Sequence, residues 1–197
     1  NPVYDQSAEW MGHMNAMLHP LWNGAVKVSS LVQPIHEIAV SKILYQRYPK
    51  LAKYQASCHM DSDAAENNRY CNECSKCARI FAFMKALNFD PASVGLADMF
   101  QARFRNHFSL FNQDNKEMRG YDGSGLSRDE QLFAFLLAAG NGAKGDLIDL
   151  FMKEHHEEAL AREEELRGEF FKVHKPLNIP APLWKKIKPI LEEELKK

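Results

Sequence analysis

Apolar side chains recur three and four positions apart over most of this chain, which is the spacing that places them on one face of an α-helix. In the first half, the pattern predicts a helix from Asp5 to Leu18 that ends before Pro20. A second helix should begin at Pro34 and stop near Pro49, because proline suits a first helical turn but not a helix interior. A third helix is predicted from Ser75 to about Leu87.

The second half of the chain repeats this helical spacing. Ser127 and Glu130 have the spacing of a capping box and so predict the start of one helix. Residues 112–125 are polar and contain glycine, so we expect a loop there. Pro189 lies inside the last predicted helix and should kink or divide it. The four predicted helices run from Ala97 to Phe108, Ser127 to Ala139, Gly145 to Leu166 and Leu183 to Leu195.

One short segment departs from the helical pattern. Between Ala25 and Val32, apolar and polar residues alternate, which predicts a β-strand with Val26, Val28 and Val32 on one face. The expected fold is therefore mainly α with a minor short β element. We expect two parts, residues 1–95 and a helical extension over residues 96–197.

Composition and charge exclude some classes of function. The chain is 45% hydrophobic and 26% charged, as in ordinary globular proteins, and its net charge of −1 gives no electrostatic case for binding nucleic acid. Arg103, Arg105 and His107 lie among phenylalanines and resemble a small nucleic-acid patch. A helix with a buried phenylalanine face and a solvated basic face explains them more simply, so nucleic acid is not an expected partner.

The expected cellular compartment is inferred from the absence of membrane and export signals in the sequence. No run approaches the roughly 18 apolar residues of a membrane span, and no secretory leader is recognisable. Nothing therefore points to export, and we expect a cytoplasmic protein with reduced thiols. The sequence starts at Asn1 instead of methionine, so we expect a processed product or a fragment of a longer chain.

The strongest chemical signal is a cluster of cysteines at Cys58, Cys71, Cys74 and Cys77. A CxxC spacing lets two thiolates reach one ion from a single tight turn. The third thiolate of the CxxCxxC run lies at the start of the predicted helix, whose N-terminus favours the charged form. Four thiolates make a closed tetrahedral site, so we predict a structural zinc ion bound by all four cysteines.

Other interpretations of the cluster stay open. Four unconnected core cysteines would not show such regular spacing, and two disulfides would need an oxidising compartment. CxxCxxC also begins the bacterial ferredoxin run, but there a fourth cysteine follows three residues later, whereas Ala78 to Phe81 follow here. Zinc is favoured, an iron–sulfur cluster is the alternative, and His59 could replace Cys58 as a ligand.

Two segments around this cluster resemble a known family. They are "SSLVQPIHEIAVSKIL" (Ser29 to Leu44) and "SCHMDSDAAENNRYCNECSKCARIF" (Ser57 to Phe81). Their order is similar to the C-terminal part of PP-loop ATP pyrophosphatase proteins, near 7-cyano-7-deazaguanine synthase and the muramoyl-peptide glutamate epimerase-like proteins. The resemblance covers about Ala25 to Asp90. It implies zinc at the four cysteines and an α/β enzyme that adenylates a carboxylate or carbonyl oxygen.

The chain departs from this family at the ATP site. The family's SGGxDS loop, whose backbone amides cradle pyrophosphate, is absent, and Gly123-Ser124-Gly125 follows the cysteines instead of preceding them. The resemblance therefore implies a zinc-stapled helical domain that forms the C-terminal half of a PP-loop enzyme, or a descendant that lost the ATP site. ATP would bind only through an N-terminal part missing from this chain. The expected partner is that part or a second copy of the chain, and no catalytic or substrate-binding residue is assigned.

Three other groups of residues are weaker candidates. His36 and Glu37 open a predicted helix and could face a substrate cleft, although a glutamate there also suits the helix dipole. Lys42 could reach a phosphate or stay solvated. His155 and His156 are adjacent and so point to different helix faces, which argues against a metal pair. The alternative function is a non-catalytic zinc-stabilised helical module that binds a protein partner through the apolar face of Leu183 to Leu195.

Overall fold

A computed structural model describes residues 7–56, Cys58, residues 69–112 and residues 120–196, with the side chains of residues 120 and 121 left out. Across these residues the protein is mainly helical and contains no β-strand, so the predicted α class is confirmed and the minor β element is not found. Short 3₁₀ turns form at Pro91–Val94, Ala102–His107 and Gly120–Gly123. The α-helices of the described residues are α1 (Ala8–Trp22), α2 (Glu37–Arg47), α3 (Pro49–Ala52), α4 (Ser75–Ala86), α5 (Gly125–Gly140), α6 (Asp146–Glu154), α7 (His156–Ala161), α8 (Glu163–Phe170) and α9 (Ala181–Lys196).

The segment predicted as a strand, Ala25 to Val32, pairs with a side chain instead of another backbone. Asn15 on α1 accepts from the amide of Val28 at 2.7 Å and donates from its Nδ2 to the Val28 carbonyl at 2.8 Å. One asparagine thereby satisfies both backbone groups that a neighbouring strand would otherwise bind. The strand predicted from the alternation of apolar residues is therefore not found among the described residues.

Several helix boundaries differ from the pattern. Helix α1 continues through Pro20 to Trp22 and ends where Asn23 adopts a left-handed φ of 47°. Helix α2 begins at Glu37 and not at Pro34, after turns over residues 31–34. The helix predicted from Ala97 to Phe108 is only the 3₁₀ turn Ala102–His107, since the Phe100 carbonyl accepts from the amide of Leu147 at 2.9 Å.

Of the last two predicted helices, the first is divided and the second is continuous. The helix expected from Gly145 to Leu166 is divided into α6, α7 and α8, which change direction at His155 and Arg162. These breaks let three short helices follow the surface of α5, which they all contact. Helix α9, by contrast, is not divided at Pro189.

Ser127 and Glu130 do not form the predicted capping box. Ser124 is the N-cap of α5, and its side chain accepts from the amide of Ser127 at 3.1 Å. Glu130 is fully buried and its Oε1 accepts from the amide of Ile38, in the first turn of α2, at 3.0 Å. The carboxylate therefore caps a different helix, 92 positions earlier in the chain, and joins α5 to α2.

We expect Glu130→Ala to lower the free energy of unfolding by about 1–3 kcal/mol, because the buried amide of Ile38 loses its acceptor. Urea denaturation followed by circular dichroism measures this change. Glu157→Ala is the matched control, since Glu157 is exposed on α7, and it should change stability by less than about 0.5 kcal/mol. Equal effects of the two substitutions would contradict the capping role.

The core forms where α4 packs against α5, the most extensive helix–helix contact of the described residues. Phenylalanines from several segments meet there. Phe135 on α5 is fully buried, with ring centroids 4.9 Å from Phe100 and 5.1 Å from Phe108. This cluster contains residues from both sides of the boundary expected between residues 95 and 96, and the division into two parts stays a prediction.

Helix α9 is attached to α2 mainly through its C-terminal turns. The Lys42 ammonium donates to the Leu195 carbonyl at 2.9 Å, and Arg47 forms an ion pair with Glu194 at 2.7 Å. Lys42 is therefore engaged with a backbone carbonyl instead of standing free for a phosphate. Among the described helices, none is both long and apolar enough to cross a membrane.

Candidate metal centre

The cysteine cluster is built on the tight turn that leads into α4. Asn72, inside the first CxxC, adopts a left-handed φ of 60°, which asparagine tolerates better than most residues. Its side chain holds this turn, because Oδ1 accepts from the amide of Ala97 at 2.8 Å and Nδ2 donates to the Gly95 carbonyl at 3.2 Å. Cys74 is the N-cap of α4, and Cys77 lies in the first turn of that helix.

The structure brings all four predicted ligands together. The sulfur atoms of Cys58, Cys71, Cys74 and Cys77 lie within 4.8 Å of one another, and none of these cysteines forms a disulfide. Cys77 Sγ lies 3.7 Å from Cys71 Sγ and 3.5 Å from Cys74 Sγ. Zinc–sulfur bonds of about 2.3 Å in a tetrahedron place sulfur atoms about 3.8 Å apart. The four thiols therefore fit around one ion of zinc's size.

Backbone amides point at three of the sulfur atoms. The amide of Cys71 donates to Cys58 Sγ at 3.3 Å, the amide of Glu73 to Cys71 Sγ at 3.4 Å, and the amide of Cys77 to Cys74 Sγ at 3.5 Å. Such bonds stabilise the thiolate form, which is the form that binds metal. The turn is thus shaped to hold negative charge on sulfur.

The thiols differ in how readily they ionise. The contact with the Cys77 sulfur and the hydrogen bond from the Cys77 amide lower the pKa of Cys74 to about 5. Burial raises the pKa of Cys71 to about 11, and the contact with Cys74, together with burial, raises the pKa of Cys77. A divalent cation bound here would favour the thiolate form of all four cysteines.

The protein core covers the cysteine cluster on one side. Cys71 and Cys77 are buried within the main hydrophobic core, while Cys58 and Cys74 are part-buried at its edge. A metal here would link the Cys58 segment, the turn and α4 to the core. His59, the alternative ligand, lies outside the described residues.

An ion-pair network lies at the start of α4, directly beside the cysteines. Glu37 on α2 accepts from Lys76 Nζ at 2.5 Å and pairs with the Nε of the buried Arg79 at 3.0 Å. Arg79 also pairs with Asp122, which accepts from Ser75 Oγ at 2.9 Å. The network ties α2, α4 and the turn before α5 together next to the cluster.

Glu37 is therefore engaged in this network. Burial raises its pKa, but the charges of Arg79 and Lys76 outweigh burial and hold the pKa of Glu37 below its usual value. The interpretation of Glu37 as a simple helix-dipole residue was incomplete, since it missed both cationic partners. No pattern in the sequence links residue 37 with residues 76, 79 and 122, because the contacts cross 39 to 43 positions.

The other candidates have ordinary structural roles. His155 packs its ring against Phe111, with centroids 5.6 Å apart, and is the N-cap residue of α7. Arg103 lies over the ring of Phe104, whose side chain is buried as expected. Asn72 is the residue that sequence reasoning missed, and its position inside a CxxC turn was the available signal.

Comparison of the chain with protein-family models, with curated proteins and with solved structures finds no match. The resemblance to PP-loop proteins therefore rests on the two segments quoted above. The structure adds one relevant observation, which is that these two segments contact each other through Glu37, Lys76 and Arg79.

Proposed function

We propose that Cys58, Cys71, Cys74 and Cys77 bind one zinc ion with a structural role. The observation that carries this proposal is the closeness of the four sulfur atoms, all within 4.8 Å. In an iron–sulfur cluster the cysteines ligate several iron atoms, whereas these separations suit ligands of a single ion. Four protein ligands leave no position for water, so the ion holds the fold and does not catalyse.

We further propose that the chain is the zinc-bearing C-terminal portion of a PP-loop enzyme that adenylates a carboxylate or carbonyl oxygen. Two observations support this. The segments that resemble the family, around Glu37 and around Lys76, form one unit beside the cysteines. Several apolar side chains over residues 17–32 are exposed, including Leu21 at 70% and Val32 at 51%, and an α/β part packed on this face would cover them.

This proposal predicts that the present chain alone does not bind ATP, because it lacks the SGGxDS loop that would cradle the phosphates. Isothermal titration calorimetry with MgATP should show no heat of binding. The comparison sample is a longer protein that includes any residues encoded before Asn1. Micromolar binding by the present chain, or no binding by an extended chain that carries an SGGxDS loop, would contradict the proposal.

A second function is favoured by the surface of α9. Leu183 is 37% exposed and Ile190 is 58% exposed, so much of the apolar face predicted there is uncovered. A zinc-stabilised helical module could bind a protein partner through this face. Leu183→Lys together with Ile190→Lys would abolish binding of such a partner and leave zinc content unchanged, whereas both substitutions should be neutral for the enzyme.

The zinc proposal fits a reducing compartment. Four free thiols in a closed cluster bind metal only while they stay reduced, which the cytoplasm maintains. We therefore propose a cytoplasmic location for the holoprotein.

A further inference from the structure

A second cluster of side chains of the metal-ligating types, His36, Glu169 and His174, lies outside the cysteine site. His36 is the residue before α2, Glu169 lies in the last turn of α8, and His174 lies in the segment between α8 and α9. The amide of His174 donates to the Pro34 carbonyl at 2.7 Å, which fixes this segment against the start of α2. Two distant parts of the chain, around residue 36 and around residues 169–174, thus meet at this cluster.

The three side chains aim at a common centre. Glu169 Oε1 lies 3.4 Å from His36 Nε2 and 3.8 Å from His174 Nε2. The two imidazole rings stand edge to face with centroids 4.7 Å apart. One ligand atom from each residue falls within 4.8 Å of the others, which is the same closeness that the four cysteines show.

The surroundings hold the ligands in place. The ring of Phe170 packs edge to face on His36, with centroids 4.8 Å apart. Lys172 Nζ lies 2.5 Å from Glu169 Oε2 and so orients the carboxylate, leaving Oε1 to face the imidazoles. His174 Nε2 also lies 3.0 Å from the Glu169 carbonyl, a contact that a bound cation would replace. A carboxylate held by a partner is a common support of metal sites.

We propose that His36, Glu169 and His174 form a second metal site, which takes a divalent cation of the zinc class. Two imidazoles and one carboxylate are the protein ligands of many zinc sites that keep a fourth position for water or substrate. The site is more open than the cysteine cluster, since the Glu169 side chain is 37% exposed and that of His174 is 25% exposed. An exchangeable ligand therefore has access to the cation, in contrast to the closed thiolate site.

This inference goes beyond the proposed function and is independent of it, because the two sites have different ligands. Cobalt(II) is the probe, since it occupies zinc sites and its absorption depends on the ligands. Titration of the metal-free reduced chain should give a first equivalent with intense thiolate-to-cobalt bands. A second, weaker equivalent should then add visible absorption without further growth of the thiolate bands.

The variants His36→Gln, Glu169→Gln and His174→Gln should each lose the second equivalent and keep the first. His19→Gln is the matched control, because His19 is exposed on α1 outside the cluster, and it should keep both. The intact thiolate bands also show that each variant is folded around the cysteine site. Saturation of the wild-type chain at one equivalent, or a second equivalent unchanged in all three cluster variants, would overturn the proposal.

The imidazole resonances give a readout that needs no variant. Paramagnetic cobalt should broaden the ring signals of His36 and His174 at the second equivalent while leaving those of His19 sharp. Broadening confined to other histidines would place the second cation elsewhere and would also overturn the proposal.

Discussion

Cys74→Ser, or removal of the metal by a strong chelator, is expected to unfold at least the region from Cys58 to Leu87. Cys74 both contributes a thiolate to the cluster and accepts from the amide of Cys77 at the start of α4. Closed zinc sites contribute on the order of 10 kcal/mol of folding free energy in small zinc peptides. This contribution is comparable to the total free energy of unfolding of a typical domain, which is about 5–15 kcal/mol.

Thermal denaturation with simultaneous zinc analysis measures this effect. Glu73→Gln is the matched control, since Glu73 lies exposed in the same turn and offers its backbone amide, not its side chain, to Cys71. The control should keep its zinc and its melting temperature. A Cys74→Ser protein with native melting behaviour and full metal content would show that the site is not structural.

Phe135→Ala is expected to lower the free energy of unfolding by about 3–5 kcal/mol, the range for removing a large aromatic side chain from a core. Phe135 is fully buried at the centre of the described core. Its ring centroid lies 4.9 to 5.8 Å from the centroids of four other rings, those of Phe100, Phe108, Phe111 and Phe151. Alanine would leave a cavity and remove these aromatic contacts together.

Urea denaturation at equilibrium measures the change. Leu126→Ala, on the same helix but 41% exposed, is the control and should cost less than about 1 kcal/mol. Phe135→Ala should still bind zinc at low urea, because its ring contacts lie within the aromatic core. Loss of similar stability in both variants would contradict the assignment of Phe135 to the centre of the core.

The helical spacing of apolar residues predicted the class of the fold because it reports directly on which side chains meet the core. Helix α4 was predicted almost to the residue, since Cys74 and Ser75 begin it and its apolar stripe is long. The short strand was wrong, because the pattern at Val28 could not show that Asn15 would satisfy its backbone groups. Local alternation does not distinguish a strand from a segment paired with a side chain.

Other errors arose from long-range contacts. Glu130 has the spacing of a capping residue and does cap a helix, but the helix is α2 and not its own. The break at His155 follows from wrapping around α5, which no local pattern encodes. Contacts across tens of positions decided these features, and a single sequence holds little information about them.

In the candidate site, too, local spacing was predictive and long-range contacts were not. The four cysteines were predicted from spacing, and the structure brings them together. The ion pairs of Glu37 and the cluster of His36, Glu169 and His174 were not predicted. Glu37 lies 39 and 42 positions from its cationic partners, and His36 lies 133 and 138 positions from the other two members of its cluster. His36 and Glu37 were noted as possible site residues, yet adjacency in sequence hid that they belong to two different clusters.

The central claim is a zinc ion bound by four thiolates, and X-ray absorption at the zinc edge tests it most directly. The His36→Gln protein is the sample of choice, because it should hold metal only at Cys58, Cys71, Cys74 and Cys77. The account predicts one zinc per chain with four sulfur neighbours at about 2.3 Å. Iron with acid-labile sulfide, or a zinc ion surrounded mainly by nitrogen and oxygen, would contradict it.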